Sequence, residues 1–185
     1  MAVKLEIKKG KDLTSHELDI INDARKKEFN STSMLAPVQG NEDWNKLYFL
    51  LRDDNTLLAF ARLHEVTIEF DAKQYEVLGF ATLISLCKGE GYGAKLVQEI
   101  KKYVEASGKT SIGFFNNTIR EFYKKAGVGI IIDGTSKTLY KDHEGVLHKD
   151  TWGGGDILYI EGKDRLIENI LSKPDEPIYI FRPHW

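Results

Sequence analysis

Between an apolar run that ends at Cys87 and an amphipathic stripe that starts at Leu96, the chain reads Lys88-Gly89-Glu90-Gly91-Tyr92-Gly93-Ala94. A strand that enters a glycine-rich loop and leaves as a helix is a standard device for holding phosphate. The first helical N–H groups have no intrahelical acceptor, and the positive end of the helix dipole lies among them. Glycine is needed wherever a side chain would stand between those amides and the ligand. Gly91 and Gly93 fit that need, and Lys88 and Lys95 add positive charge. A tight strand-to-helix turn that holds no ligand satisfies the same string, so the loop alone leaves both readings open.

The elements around the loop narrow the fold. Leu47–Leu51 and Leu57–Phe70 are β-like runs separated by Asp53-Asp54-Asn55, a hairpin sequence, and a third run from Tyr75 to Cys87 completes an antiparallel meander. Upstream, Lys4–Lys8 reads as a short strand, and Thr14-Ser15-His16-Glu17 is a capping box that opens a helix reaching about Phe29. Asn30–Asn45 lacks a period and reads as a long loop, a length that often serves function. Downstream, Leu96, Val97, Ile100, Tyr103 and Val104 form the apolar stripe of a helix that Gly108 closes. Strands follow at Ser111–Phe115, Gly129–Asp133, Thr138–Tyr140, Ile157–Ile160 and Ile178–Phe181. Helices are predicted over Asn117–Ala126 and, capped by Asp164, around Leu166–Leu171.

With 185 residues, 42% hydrophobic and 29% charged, the chain is expected to fold as one globular domain over residues 1–185. A net charge of -2 supplies no field for nucleic acid or an anionic membrane. No apolar run is long enough for a membrane span and the N-terminal stretch has no signal-peptide core, so a cytoplasmic protein is expected. One cysteine, Cys87, leaves neither an internal disulfide nor a cysteine-based zinc site, and no metal is expected.

Three kinds of phosphate loop are separable. A Walker loop needs Gly-Lys followed by Ser or Thr, which is missing. Gly89-x-Gly91-x-x-Ala94 meets a loose dinucleotide fingerprint, but the next strand ends at Phe115-Asn116-Asn117 with no carboxylate for a ribose, and hairpin-linked strands do not start a dinucleotide fold. The third kind fits: Lys88-x-x-Gly91-x-Gly93-Ala94 resembles the first signature of the GNAT superfamily of N-acetyltransferases. Asn116 through Val128 resembles that superfamily's second block, with Asn116 and Tyr123 at the family spacing.

The resemblance implies an α/β fold, a central mixed but mostly antiparallel sheet flanked by helices, with an extra C-terminal helix and strand. It implies acetyl-CoA as the acetyl donor, bound by Leu83, Ser85, Lys88, Gly89, Glu90, Gly91, Tyr92, Gly93, Ala94, Asn116 and Tyr123. The strand before the loop is expected to bulge and free an amide, best placed at Leu83, for the thioester carbonyl, while Tyr123 protonates the leaving thiolate. Glu90 departs from the family, which often has a basic residue there. The position where some relatives carry a water-ordering glutamate is Ala81 here; Glu76 is the nearest carboxylate on that strand, and His64 and Glu65 are further candidates for the base.

The expected partner is an amine acceptor, a small molecule or a peptide; self-association into a homodimer stays open. The layout is also similar to the aminoglycoside 2'-N-acetyltransferases. That likeness implies Asp43, Trp44, Asp156 and Trp185 as acceptor contacts, gripping amines by charge-assisted bonds. A protein N-acetyltransferase and a CoA-binding regulator without turnover are the other readings.

Overall fold

The computed structural model describes residues 3–149 and 155–181. Packing divides the chain into two compact units, Met1–His64 with Ala81–Glu99 and Glu65–Phe80 with Ile100–Trp185. No helix among the described residues is long and apolar enough to cross a membrane.

The first unit opens with strand β1 (Val3–Lys9) and helix α1 (Ser15–Phe29). The capping box forms as its sequence predicts: Thr14 Oγ1 accepts from the Glu17 amide at 3.2 Å, and the Glu17 carboxylate accepts from the Thr14 amide at 2.7 Å. Two otherwise orphaned donors are thereby satisfied. Strand β2 (Leu47–Asp53) pairs antiparallel with β1 from Val3↔Asp53 to Lys9↔Leu47, and with β3 (Thr56–Phe70) from Leu47↔Leu63 to Asp53↔Thr56. Asp54, with φ at +48°, turns the hairpin.

Tyr48 and Leu50 of β2 meet Phe60 of β3, Ile21 and Ala24 of α1, and Leu35 and Ile84 in one core. Each buried large apolar side chain there contributes about 1.5–3 kcal/mol. The long segment after α1 is tied to the helix. Asn22 accepts from the Leu35 amide at 2.8 Å and donates to the Leu35 carbonyl at 3.1 Å, and Arg25 donates to the Ser33 carbonyl at 2.9 Å. The unit also holds the end of strand β4 (Lys73–Ser85) and the start of helix α2 (Tyr92–Ser107).

In the second unit, β3 passes to β4 through Asp71-Ala72, both with positive φ, the backbone that a two-residue hairpin turn requires. Strand β5 (Ser111–Phe115) lies parallel to β4 from Leu78↔Ser111 to Phe80↔Gly113. A parallel pair needs a crossover, and α2 supplies it. Helix α3 (Arg120–Lys125) and strands β6 (Gly129–Ile131), β7 (Thr138–Lys141), β8 (Leu147–Lys149) and β9 (Asp156–Ile160) follow, then helix α4 (Leu166–Ser172) and strand β10 (Ile178–Ile180). The strand order is β6-β9-β5-β4-β3-β10-β7-β8, parallel at β4–β5 and β10–β7. Val66, Ile68 and Phe70 of β3 pack with Val77, Ile112, Ile157 and the α4 residues Leu166, Ile167 and Ile170.

Three local readings of the sequence change. β6 stops at Ile131, because Asp133 takes a left-handed backbone and a 3-10 turn over Gly134–Lys137 follows. β8 pairs with β7 where only a turn is legible, since its exposed residues carry no apolar face. Arg165, with φ at +56°, immediately precedes α4, and Asp164 accepts from the Leu166 amide at 3.1 Å.

Candidate active site

In the first unit, β4 breaks its extended backbone at Thr82, where φ is +55°. A β-branched residue rarely adopts that conformation, so the break is an imposed feature and not a drift in the strand. It lies one residue before Leu83, which is half-buried. Two residues on, the Ser85 hydroxyl donates to the Cys87 carbonyl at 2.9 Å, and the Leu86 amide donates to Leu58 O at 2.8 Å.

The glycine loop follows, exposed from Lys88 to Gly91. Gly89 and Gly91 hold φ at +83° and +76°, and a side chain placed on either would meet no atom within 4 Å. The space above both glycines is open, so their conformation and their smallness serve something other than internal packing. The Lys95 amide donates to Gly91 O at 3.0 Å to close the first turn of α2. The amides of Tyr92, Gly93 and Ala94 therefore lie ahead of the helical ladder, where the dipole favours an anion. Lys88 pairs with Glu28 of α1 at 2.9 Å. Glu90 is exposed.

In the second unit, Tyr123 is 5% exposed on α3. Its ring packs between Phe115 (4.6 Å between centroids), Phe122 (5.0 Å) and Phe80 (6.4 Å, edge-on). Burial pushes the phenol well above the usual tyrosine range, so it holds its proton. Asn116 uses its side-chain oxygen to accept from the Thr118 amide at 3.0 Å, capping the turn that leads into α3. Glu76 is exposed on β4 and accepts from the Thr67 hydroxyl at 2.6 Å. Ala81 is buried in the first unit. His64 is buried, and Glu65 pairs with Lys109 at 2.5 Å.

The residues expected to grip an acceptor amine are differently engaged. Asp156 is 0% exposed and starts β9. Its carboxylate accepts from Arg120 Nε and NH2 at 2.5 and 2.9 Å and from the Asp133 amide at 3.0 Å. Arg120, and then the amide, hold Asp156 below the ordinary carboxylate range against the opposing effect of burial. Asp43 is paired with Lys46 at 2.8 Å, and Arg62 NH1 lies 3.7 Å away. Trp44 is half-buried in a turn that Asn41 caps. Trp185 lies outside the described residues.

Sequence reasoning overlooked a set of buried cations in the first unit: Arg25, Lys46 and Arg62, with Tyr48 among them. The signal was present at Arg62, a charge in the middle of the apolar run Leu57–Leu63.

The chain belongs to the acetyltransferase (GNAT) family, whose model matches residues 16–128. Structures with the same fold include ElaA of Escherichia coli, at 15% identity and TM-score 0.57 over 86% of this chain and 100% of that one. An acyl-CoA N-acyltransferase from Pseudomonas aeruginosa is similar at 18% identity and TM-score 0.52, covering 83% of this chain and 98% of that one. YhbS of Escherichia coli, a GNAT family N-acetyltransferase crystallised in complex with CoA, is similar at 11% identity and TM-score 0.55 over 88% and 83%. A search of curated proteins finds no match. Family membership makes this chain an acyltransferase with the GNAT α/β fold, and acetyl-CoA is its donor.

Proposed function

We propose that this chain transfers the acetyl group of acetyl-CoA directly to a primary amine, with no covalent acetyl-enzyme. The observation that carries the reading is the glycine cradle: two left-handed glycines with open space above them, followed at once by the first turn of a sixteen-residue helix, whose amides have no intrahelical acceptor. Those residues fit a pyrophosphate, and Gly89 to Ala94 are the ones that would hold it. Bound acetyl-CoA supplies an acetyl group activated as a thioester: the C–N bond forms, the C–S bond breaks, and the ammonium nitrogen gives up two protons, one released to solvent before attack and one, on acylation, offset by the proton the thiolate takes.

The chain offers residues of its own for two of the remaining needs of such a step, the oxyanion donor and the acid. The break at Thr82 turns the backbone just before Leu83, which supports the Leu83 amide as the donor to the thioester oxygen. Tyr123 keeps its proton to high pH and gives it to the thiolate, drawing a replacement from solvent afterwards. No carboxylate on β4 is placed like the glutamate of some relatives; Glu76 faces solvent, so the amine loses its proton to Glu76 through water or to bulk solvent.

A polycationic acceptor of the aminoglycoside kind finds little support. Asp156 is neutralised by Arg120, and Asp43 by Lys46. The test is release of free thiol from acetyl-CoA with a panel of amines covering amino acids, peptides, polyamines and aminoglycosides. Tight acetyl-CoA binding with no thiol released by any amine overturns turnover in favour of a CoA-binding regulator.

A further inference from the structure

Tyr48 of β2 and Arg62 of β3 stand directly opposite one another in the antiparallel ladder, so their side chains leave the sheet side by side. Both are buried, at 0% and 9% exposure. The Tyr48 oxygen lies close enough to the Arg62 guanidinium for a weak side-chain hydrogen bond to pull its pKa down, but among the described residues neither the Tyr48 hydroxyl nor Arg62 Nε has a partner at good hydrogen-bond geometry. Burial, ahead of the opposing pull of Arg62, keeps the phenol protonated and able to donate. The phenol O–H and the Arg62 Nε–H are thus two adjacent buried donors without an acceptor, a cost to the fold unless something fills the need.

The charges around them say what that is. Arg25, Lys46 and Arg62 are all buried. Their acidic company is Asp43, which Lys46 holds at 2.8 Å and Arg62 only approaches at 3.7 Å, and the largely exposed Glu42, 3.0 Å from Lys46. The Arg25 guanidinium donates to neutral groups, namely Ser31, Ser33 and Asn22. Its pKa is lowered by burial first and by Arg62 second. Among the described residues, these three cations face two carboxylates, one positive charge in excess. The cluster is not sealed, since the side chains of Arg62 and Asp43 keep 11% and 14% of their surface in water. Ser31 and Ser33, which hold Arg25, belong to the long segment between α1 and β2.

We infer that Tyr48 and Arg62 form a subsite for one carboxylate, backed by Arg25, and that the amine acceptor is a small molecule carrying its own carboxylate, as an amino acid does. The inference rests on the proposed amine N-acetylation. A monoanion matches the single excess charge, whereas a dianion meets Asp43 and a polyamine meets three cations. Carboxylate binding by a guanidinium and a phenol is charge-assisted and directional.

The experiment compares amino acids with the matching amino-acid amides as acceptors for the full chain, by thiol release, and the N-acetylated products of each by calorimetric binding. Amino acids are expected to show kcat/KM at least tenfold above their amides, and N-acetylated amino acids to bind at least tenfold tighter than N-acetylated amides. Tyr48→Phe, which removes only the hydroxyl and keeps the ring in the core, should keep acetyl-CoA affinity and bring both ratios down by about tenfold; Arg62→Gln should abolish them. Amides or polyamines equal to or better than amino acids overturn the inference. If no amine is acetylated, the transferase reading fails, and the binding arm decides alone: carboxylate-dependent binding lost in Tyr48→Phe upholds the subsite, and indifference to the carboxylate sinks it.

Discussion

Arg120 closes on Asp156 with two nitrogens, and it does so across a sharp difference in burial: the aspartate is wholly enclosed, while the side chain of Arg120 keeps 27% of its surface in water. The asymmetry makes the two halves of the pair unequal. Asp156→Asn leaves a cation that can turn to solvent and should cost about 2–4 kcal/mol. Arg120→Met strands a buried carboxylate and should cost more. The folded-state pKa of Asp156 is depressed, so its contribution is present above the unfolded value near 4 and is lost as pH falls through the folded value. Urea midpoints of wild type and Asp156→Asn should therefore differ at pH 7 and converge in acid; a constant gap would mean the ion pair is not the source.

Tyr123 is the second residue whose environment decides its chemistry. With the ring enclosed by Phe80, Phe115 and Phe122, Tyr123→Phe keeps the aromatic contacts and removes the hydroxyl with its proton. The expected result is a kcat lower by about 100-fold with KM for the amine little changed. Its raised pKa also favours the folded state below the unfolded value of about 10, an advantage lost as pH climbs through the folded value. Tyr123→Phe should therefore resist alkaline unfolding better than wild type, which thermal melts at pH 9 to 11 will read.

Gly91 separates ligand binding from folding. Its left-handed backbone makes Gly91→Ala cost about 1 kcal/mol, but a Cβ meets no protein atom. Acetyl-CoA affinity should nevertheless fall tenfold or more, because the methyl enters open space that the proposal gives to the phosphates. Titration calorimetry beside a thermal melt distinguishes the two effects; affinity within a factor of two of wild type would remove the loop from the binding site.

Much of this was legible in the sequence because local signals and tertiary packing agree. The Thr14 capping box, the apolar stripe of α2 and the glycine loop each appear where the residues place them. What escaped reading depends on partners distant in sequence. Asp156 looks like a loop acid until Arg120, thirty-six residues away, is seen to close on it. Asp71-Ala72 carries a turn whose second residue, an alanine, gives no warning of a left-handed backbone. Tyr48 and Arg62 look like one core residue and one stray charge until the strand register sets them side by side. Periodicity reports which face a residue occupies, not what faces it.

Asn22 is the pin of the segment after α1. It is buried and makes reciprocal hydrogen bonds with both backbone groups of Leu35. Asn22→Ala leaves that amide and carbonyl without their partner and should cost about 2–3 kcal/mol. The loss should be local as well as global: limited proteolysis is expected to cut first within residues 30–41, while wild type resists there. Cleavage elsewhere at the same rate in both proteins would show that Asn22 does not fasten the segment.

Glu90 is the feature of the glycine loop that argues against tight donor binding, since it brings a negative charge to a place proposed for phosphates. It is exposed, and no fold interaction depends on it among the described residues. Glu90→Lys should thus leave stability within about 0.5 kcal/mol and tighten acetyl-CoA binding several-fold at low ionic strength. Because the charge lies in water, the gain should shrink as salt shortens the Debye length from about 30 Å at 0.01 M to about 8 Å at 0.15 M. Affinity unaltered at every ionic strength would place the phosphates away from Glu90 and shift the cradle toward Gly93 and the first turn of α2.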